Sequence, residues 1–166
     1  MTQNCTVSDL FDLAITAEKE VARFYGQLSG VFRNHPPAVA CWTRMASDEQ
    51  AHVRELEGRL RSLSRAEMSQ EADIELYEAA RKNLSHLIGL LGMRTVRTLE
   101  DAYEIAYDLE YSEVNVVFQA LLSRYGSVAS NVDFVLSLIR EHVGCLEQLA
   151  KECGGIGQMR DILSDK

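Results

Sequence analysis

Apolar residues recur along four stretches of this chain at alternating steps of three and four, the spacing that places them on one face of an α-helix. The pattern predicts four long helices, over residues 8–32, 36–63, 98–126 and 130–152. Residues 64–97 follow it less clearly and predict a crossover segment that contains a short helix at about residues 74–84. With only 2 prolines and 10 glycines to interrupt this pattern, the chain is predicted to be all-α.

Short polar residues and glycines mark the predicted helix ends. Ser8 or Asp9 is expected to cap the first helix and Asn34 the second, because their side chains accept the free backbone N–H groups of a first turn. Gly89 and Gly92 are expected to break the crossover. These signals divide the chain into two helical hairpins joined by one long connection.

The connections between the predicted helices are short, long and short in chain order. A helix of about 25 residues is about 37 Å long, and a crossover of about 33 residues is long enough to return along it. This connectivity is typical of ferritin-like bundles rather than of up-and-down bundles. We therefore predict a ferritin-like four-helix bundle with its long crossover between helices 2 and 3, forming a single domain over residues 1–166.

Ionisable side chains interrupt the apolar face of every predicted helix near its middle. They are Glu18 in the first helix, Glu49 and His52 in the second, Glu110 and the neighbouring Glu113 in the third, and His142 in the fourth. A carboxylate in an apolar interior costs several kcal/mol unless it is paired or bound to a metal, and no Lys or Arg lies on these four faces. Two divalent cations would balance the four carboxylates, and the imidazoles would complete a shell of oxygen and nitrogen donors. The pattern therefore predicts a buried metal site.

The two predicted hairpins also resemble each other in sequence. Residues 13–18 of the first helix (LAITAE) align with residues 105–110 of the third (IAYDLE). Residues 52–57 of the second (HVRELE) align with residues 142–147 of the fourth (HVGCLE). An approximate twofold relation between the hairpins would bring the four mid-helix positions together around one centre.

The charge and the N-terminal sequence narrow the expected partners. A formal net charge of -8 opposes binding to nucleic acid, which requires an excess of Lys and Arg on one face. Residues 1–10 lack the basic segment and apolar run of a secretory signal, and no apolar stretch is long enough to span a membrane. We expect a soluble, cytoplasmic protein with neither a nucleic-acid nor a membrane partner.

The cysteines do not suggest a metal site or a disulfide framework. The chain has four, Cys5, Cys41, Cys145 and Cys153, at spacings that fit neither a zinc ribbon nor a small disulfide-rich domain. It has no Cys-x-x-Cys motif, so no rubredoxin-type iron centre is expected. We expect reduced thiols, with Cys41 as a buried, inert residue.

Three motifs resemble the rubrerythrin branch of the ferritin-like superfamily. They are residues 17–20 (AEKE) followed by Phe24-Tyr25, residues 42–52 (WTRMASDEQAH), and residues 110–113 (EYSE). The resemblance covers roughly residues 8–152 and leaves the crossover and the C-terminal tail unmatched. A full-length rubrerythrin would add a cysteine-rich electron-transfer domain, which this chain lacks.

The resemblance implies a di-iron carboxylate centre and assigns a role to each residue. Glu18 and Glu110 would be terminal ligands, Glu49 would bridge, His52 and His142 would supply nitrogen, and Glu113 would be an alternative ligand. Such proteins reduce peroxide or oxidise ferrous iron, which makes a non-haem oxidoreductase of peroxidase or ferroxidase type the expected enzyme. Its electron donor is unknown. Two irons per chain are expected, or one if half of the site is degenerate, and zinc or manganese could substitute.

Two assignments are left undecided in this interpretation, the register of the fourth helix and the role of Tyr25. The family carries a second bridging Glu on the fourth helix, where this chain has Ile139 in the best register. A shift of three residues would instead place His142 at the Glu position and Cys145 at the His position. Tyr25, near Glu18, is interpreted either as a hydrogen-bond donor to a ligand carboxylate or as a core tyrosine with its hydroxyl at the rim.

The sequence therefore leaves three hypotheses about function. The first is a di-iron oxidoreductase that acts on peroxide, oxygen or ferrous iron. The second is a non-catalytic metal-binding or sensing bundle, with one metal at Glu18, Glu49 and His52. The third is an association bundle that uses the apolar residues of the crossover, Leu87, Ile88, Leu90 and Leu91. A homodimer is expected under all three.

Overall fold

The computed structural model describes residues 5–93, 95–110, 114–125 and 132–163, and these residues are helical apart from their connections. The helices are α1 (Val7–Val31), α2 (Pro36–Ser62), α3 (Arg65–Met68), α4 (Ile74–Met93), α5 (Leu99–Glu110), α6 (Val114–Tyr125), α7 (Val132–Glu152) and a 3-10 helix (Ile156–Asp161). The described residues form no β-strand, only isolated bridges. The predicted all-α class is confirmed.

The first two helices begin at caps other than the predicted ones. Thr6 caps α1: its hydroxyl accepts the Asp9 N–H at 3.2 Å, while the Asp9 carboxylate accepts the Thr6 N–H at 2.8 Å. Asp9 therefore takes part in the cap from the third helical position. In α2 the cap is His35, whose Nδ1 accepts the Ala38 N–H at 3.4 Å. The predictions of Ser8 or Asp9, and of Asn34, as caps were wrong by one to three residues.

The crossover is more helical than its sequence pattern indicates. The helix α4 runs through Gly89 and on to Met93, so the predicted glycine break is wrong. A helical glycine costs about 1 kcal/mol relative to alanine. Burial of α4 residues such as Ala80 and Leu87 offsets that cost. Leu87, one of the four apolar residues predicted to mediate association, is buried. Of the four, only Ile88 is an exposed large apolar side chain.

The long helices pack along one another. Tyr25 of α1 stacks on Trp42 of α2, and Glu18 lies beside His52, so α1 and α2 are antiparallel. The helix α4 packs against α1 and α6, and α7 contacts α2, α5 and α6. None of the described helices is both long and apolar enough to cross a membrane.

The fourth long helix, α7, ends at two glycines. The Gly154 N–H donates to the Lys151 carbonyl at 3.1 Å, and the Gly155 N–H donates to the Ala150 carbonyl at 2.8 Å. These are the two hydrogen bonds of a Schellman motif, which needs a left-handed residue at its centre. Gly154 supplies it with φ of +80°.

Two clusters of buried apolar residues lie at different heights in the interior. One contains the C-terminal half of α1 and the N-terminal half of α2, including Tyr25 and Trp42. The other contains the N-terminal half of α1 and the C-terminal half of α2, including Phe11 and Leu56. Both helices pass from one cluster to the other near Glu18 and Glu49, so a polar layer lies at mid-height.

Candidate metal centre

Five ionisable side chains converge in this polar layer. They are Glu18, Glu49, His52, Glu110 and His142, and each exposes only 2 to 5% of its surface. They come from α1, α2, α5 and α7, and each interrupts an otherwise apolar helix face. The structure thus brings together five of the six residues predicted as ligands.

One half of the cluster consists of Glu18, Glu49 and His52. The His52 Nδ1 lies 2.8 Å from Glu49 Oε2 and 3.5 Å from Glu18 Oε2. One donor atom from each residue lies within 4.8 Å of the other two. Because Glu49 and His52 are one helical turn apart on α2, they present an oxygen and a nitrogen to the same space.

The other half consists of Glu49, Glu110 and His142. The His142 Nδ1 lies 2.9 Å from Glu110 Oε2 and 3.4 Å from Glu49 Oε1. Their donor atoms also lie within 4.8 Å of one another. This half is built from three different helices, so it depends on tertiary packing.

Glu49 belongs to both halves. Its Oε2 faces His52, and its Oε1 faces His142. The two imidazole rings are 5.8 Å apart between centroids. A carboxylate with one oxygen directed to each triad has the geometry of a bridging ligand.

The orientation of both imidazoles fits metal ligation. Each directs Nδ1 toward carboxylate oxygens, and the buried Nε2 atoms of His52 and His142 have no hydrogen-bond partner. The Asp48 Oδ2 lies 3.5 Å from the His142 Nε2. Asp48 lies on the side of the ring away from the cluster, although it forms no hydrogen bond with this nitrogen. The mixture of carboxylate and imidazole donors suits iron, manganese or zinc.

The electrostatics of the cluster favour a bound cation. Burial, together with the neighbouring charges of Glu18 and Glu110, raises the pKa of Glu49 well above its usual value. Burial disfavours protonated His142, yet hydrogen bonding to Glu110 and the charges of Glu110 and Glu49 raise its pKa to about 9. Without a metal, the carboxylates therefore draw protons into the cluster.

Tyr25 is a hydrogen-bond donor to a cluster carboxylate. Its hydroxyl donates to Glu110 Oε1 at 2.6 Å, and its ring stacks on Trp42 with a centroid distance of 6.0 Å. Burial, followed by the charges of Glu110 and Glu49, raises the pKa of Tyr25, which keeps the phenol protonated as a donor. The Tyr25 hydroxyl therefore lies inside the cluster and not at the rim, as the first of the two interpretations requires.

Cys145, the ligand expected in the shifted register of α7, contacts another cysteine instead of the cluster. His142 lies in the cluster, whereas the Cys145 Sγ contacts the Cys41 Sγ at 2.8 Å. The shifted register, with Cys145 as a ligand, is therefore not the one observed. Ile139 lies on α7 one turn before His142. Glu113 lies outside the described residues, so its predicted role as an alternative ligand stays a prediction.

Two polar residues near the cluster were missed by the sequence interpretation. One is Asp48. The other is Asn83 of α4, which is 9% exposed and has no partner for its Nδ2. Asn83 and Glu18 line a cavity of about 10 Å³, which is room for one water molecule. The spacing of Ala80, Asn83 and Leu87 was the available signal, because it marks Asn83 as a polar interruption of an apolar helix face.

The chain was compared with models of protein families, with curated proteins and with solved structures. None of the three comparisons finds a match.

Proposed function

We propose that this protein binds two metal ions, with Glu18, Glu49 and His52 at the first position and Glu49, Glu110 and His142 at the second. The observation that carries the proposal is the placement of Glu49, which presents one oxygen to each of two buried triads. If these five residues had only a structural role, three carboxylates would lie in the interior with histidines, and no metal ion, to compensate their charge. Burial of that kind is costly unless the charges are compensated.

The proposed architecture is a ferritin-like four-helix bundle of rubrerythrin type. The antiparallel α1 and α2, the crossover through α4, and the contacts of α7 with α2, α5 and α6 support it. In this bundle, α5 and α6 together take the place of the third helix. The order of ligands along the chain, Glu, then Glu-x-x-His, then Glu, then His, supports the same assignment.

The metal that we propose is iron, and the proposed activity is reduction of peroxide or oxidation of ferrous iron. Bound iron would supply two accessible oxidation states. The chain would supply a buried, mostly apolar enclosure, a phenol that holds Glu110, and a carboxylate behind His142. The small cavity beside Glu18 and Asn83 gives a water-sized molecule a place next to the first position.

A second candidate is a non-catalytic protein that holds one metal tightly. Ile139 favours this function, because it lies at the position on α7 that corresponds to Glu49 on α2, three residues before the histidine. A missing carboxylate removes one ligand and one negative charge, which weakens the second position more than the first.

Metal content tests the binding. The protein is purified without oxygen, titrated with Fe²⁺, and the bound iron per chain is measured by elemental analysis. We expect two irons at saturation, one iron in Glu18→Gln, and a loss of at least about tenfold in affinity at both positions in Glu49→Gln. Glu55→Gln, which changes an exposed acid on the same helix, is the control and should bind as the wild type does. Wild-type protein that binds no iron would exclude the proposal.

Reaction with peroxide separates the two candidates. In the redox protein, a stoichiometric amount of hydrogen peroxide oxidises the bound ferrous ions, and absorption in the near ultraviolet rises with the ferric state. In the one-metal alternative, only one iron binds and peroxide is not consumed faster than in the Glu49→Gln variant.

A further inference from the structure

Two cysteines that are far apart in sequence meet between α2 and α7. The Sγ atoms of Cys41 and Cys145 lie 2.8 Å apart, although the residues are separated by 104 positions. The length of a disulfide bond is about 2.05 Å. The two sulfurs are therefore about 0.8 Å farther apart than in a disulfide.

The pair is reachable from the surface. Cys41 is buried and Cys145 is half-buried, and both line a groove of about 380 Å³ between α2 and α7. Arg44 and Arg140 also line this groove. Of these two, Arg44 favours an anionic sulfur at Cys145. Glu141 and Glu152, which also line the groove, oppose it.

The two thiols differ in character. Hydrogen bonding between the two thiols, followed by the positive charges of Arg44 and His142, lowers the pKa of Cys145. Hydrogen bonding to Cys145 and burial raise the pKa of Cys41. Cys145 is therefore the thiol that forms the thiolate, and it is also the more exposed of the two.

We propose that Cys41 and Cys145 form a reversible dithiol–disulfide pair that is oxidised by peroxide entering the groove and reduced again by a small thiol. This reactivity goes beyond the proposed metal chemistry and does not require a metal. It also replaces the expectation that Cys41 is inert, because its partner lies on another helix and is not visible in the sequence.

The chemistry balances with peroxide as the two-electron oxidant. The Cys145 thiolate attacks one peroxide oxygen, the O–O bond breaks, and Cys145 becomes a sulfenic acid while the other oxygen leaves as hydroxide and takes a proton to form water. The Cys41 sulfur then attacks the sulfenic sulfur. The S–S bond forms, the S–O bond breaks, and the oxygen leaves as a second water that carries the Cys41 proton. Two molecules of an external thiol reverse the oxidation by exchange.

The test counts thiols in the full chain. Protein as purified is reduced, freed of reductant, treated with one equivalent of hydrogen peroxide, and denatured for thiol titration and for mass spectrometry of unreduced peptides. We expect the number of thiols to fall by half from the four of the sequence, with one cross-linked peptide pair containing Cys41 and Cys145. The same assay is repeated after chelation, and we expect the same cross-link. The thiol count is taken from the chelated protein, because bound ferrous iron would consume part of the peroxide.

Single variants assign the order of the steps. In Cys41→Ser, a sulfenic acid should accumulate at Cys145 and be trapped by dimedone, whereas Cys145→Ser should give no trapped product at Cys41. Cys153→Ser and Cys5→Ser are the controls and should form the same cross-link as the wild type. The proposal is overturned by chelated wild-type protein that keeps four thiols, by a cross-link that involves other cysteines, or by a cross-link that forms only with metal bound. Because chelated protein is assayed, a failure of the metal proposal does not affect the result.

Discussion

At the scale of single residues, the interior is organised by acids that could be found from the sequence. Glu18, Glu49 and Glu110 each stand where an apolar helix face requires an apolar residue, and the structure buries all three together. A helix fixes which residues share a face, so an interruption of that face is a local and readable signal. Contacts between faces are not local, and this is why Asp48 and the Cys41–Cys145 contact were missed.

The titration of His142 makes the stability of the metal-free protein depend on pH. A base whose pKa is raised on folding, here from 6.5 to about 9, stabilises the fold fully below the lower value and loses that effect as pH rises through the higher one. The loss is on the order of 3 kcal/mol for a shift of this size. The raised pKa of Glu49 also lowers the free energy of unfolding as pH rises, because this acid ionises less readily in the folded protein than in the unfolded chain.

We therefore expect the free energy of unfolding of chelated protein to fall between about pH 6.5 and pH 9. Urea unfolding followed by circular dichroism at several pH values measures it. His142→Gln should weaken the dependence, leaving the part due to Glu49, and His86→Gln, a change at an exposed histidine, should not change it. A wild-type stability that is constant or rises over this range contradicts the argument.

At the scale of helices, the long amphipathic elements were the most predictable part of the fold. The helices α1 and α2 begin and end within about one residue of the positions that periodicity indicated. Their caps were less predictable, because Thr6, Ser8 and Asp9 are all competent capping residues and the backbone conformation selects one of them. The length of α4 was underestimated. The free-energy cost of its glycines can be read from the sequence, whereas the burial that offsets this cost depends on contacts with other helices.

Two glycines test this account of helix stability. No heavy atom lies within 4 Å of a Cβ added at Gly89, so Gly89→Ala should raise the free energy of unfolding by about 0.5–1 kcal/mol. Gly154 has φ of +80°, so Gly154→Ala should lower it by about 1–2 kcal/mol. Urea unfolding of the two variants measures both values. A destabilised Gly89→Ala variant would be inconsistent with a continuous α4.

A carboxylate restored to α7 should strengthen the second metal position. Ile139 precedes His142 by three residues, as Glu49 precedes His52, so Ile139→Glu would recreate the second Glu-x-x-His. We expect the variant to hold more iron per chain at subsaturating Fe²⁺ and to approach two. Arg140→Glu adds an acid at an exposed position of the same helix and serves as the control. An unchanged metal content in Ile139→Glu would count against this register.

At the scale of the whole molecule, the proposed metals link binding to folding. The two triads take ligands from helices that are distant in sequence, so an unfolded chain cannot reproduce either of them. A ligand that binds only the folded state stabilises it by about 2.7 kcal/mol per site at a free concentration one hundred times its Kd.

Metal addition should therefore raise the thermal unfolding temperature. Mn²⁺ is a suitable probe because it remains divalent in air during a calorimetric scan. We expect a shift of several degrees in wild-type protein, its reversal by a chelator, and little shift in Glu49→Gln. If neither Mn²⁺ nor Fe²⁺ changes the midpoint of thermal unfolding, neither ion stabilises the folded protein by binding at the triads.

The position of Glu49 between two triads also bears on how they would fill. The first ion would fix the Glu49 rotamer and relieve its repulsion by Glu18 and Glu110, so the second ion would meet a side chain that is already ordered. Such coupling is reciprocal, since each ion must raise the affinity for the other by the same factor. In the proposed function, the first ion therefore raises the affinity of the position that Ile139 weakens, and loss of the metal from either position lowers the affinity of the other.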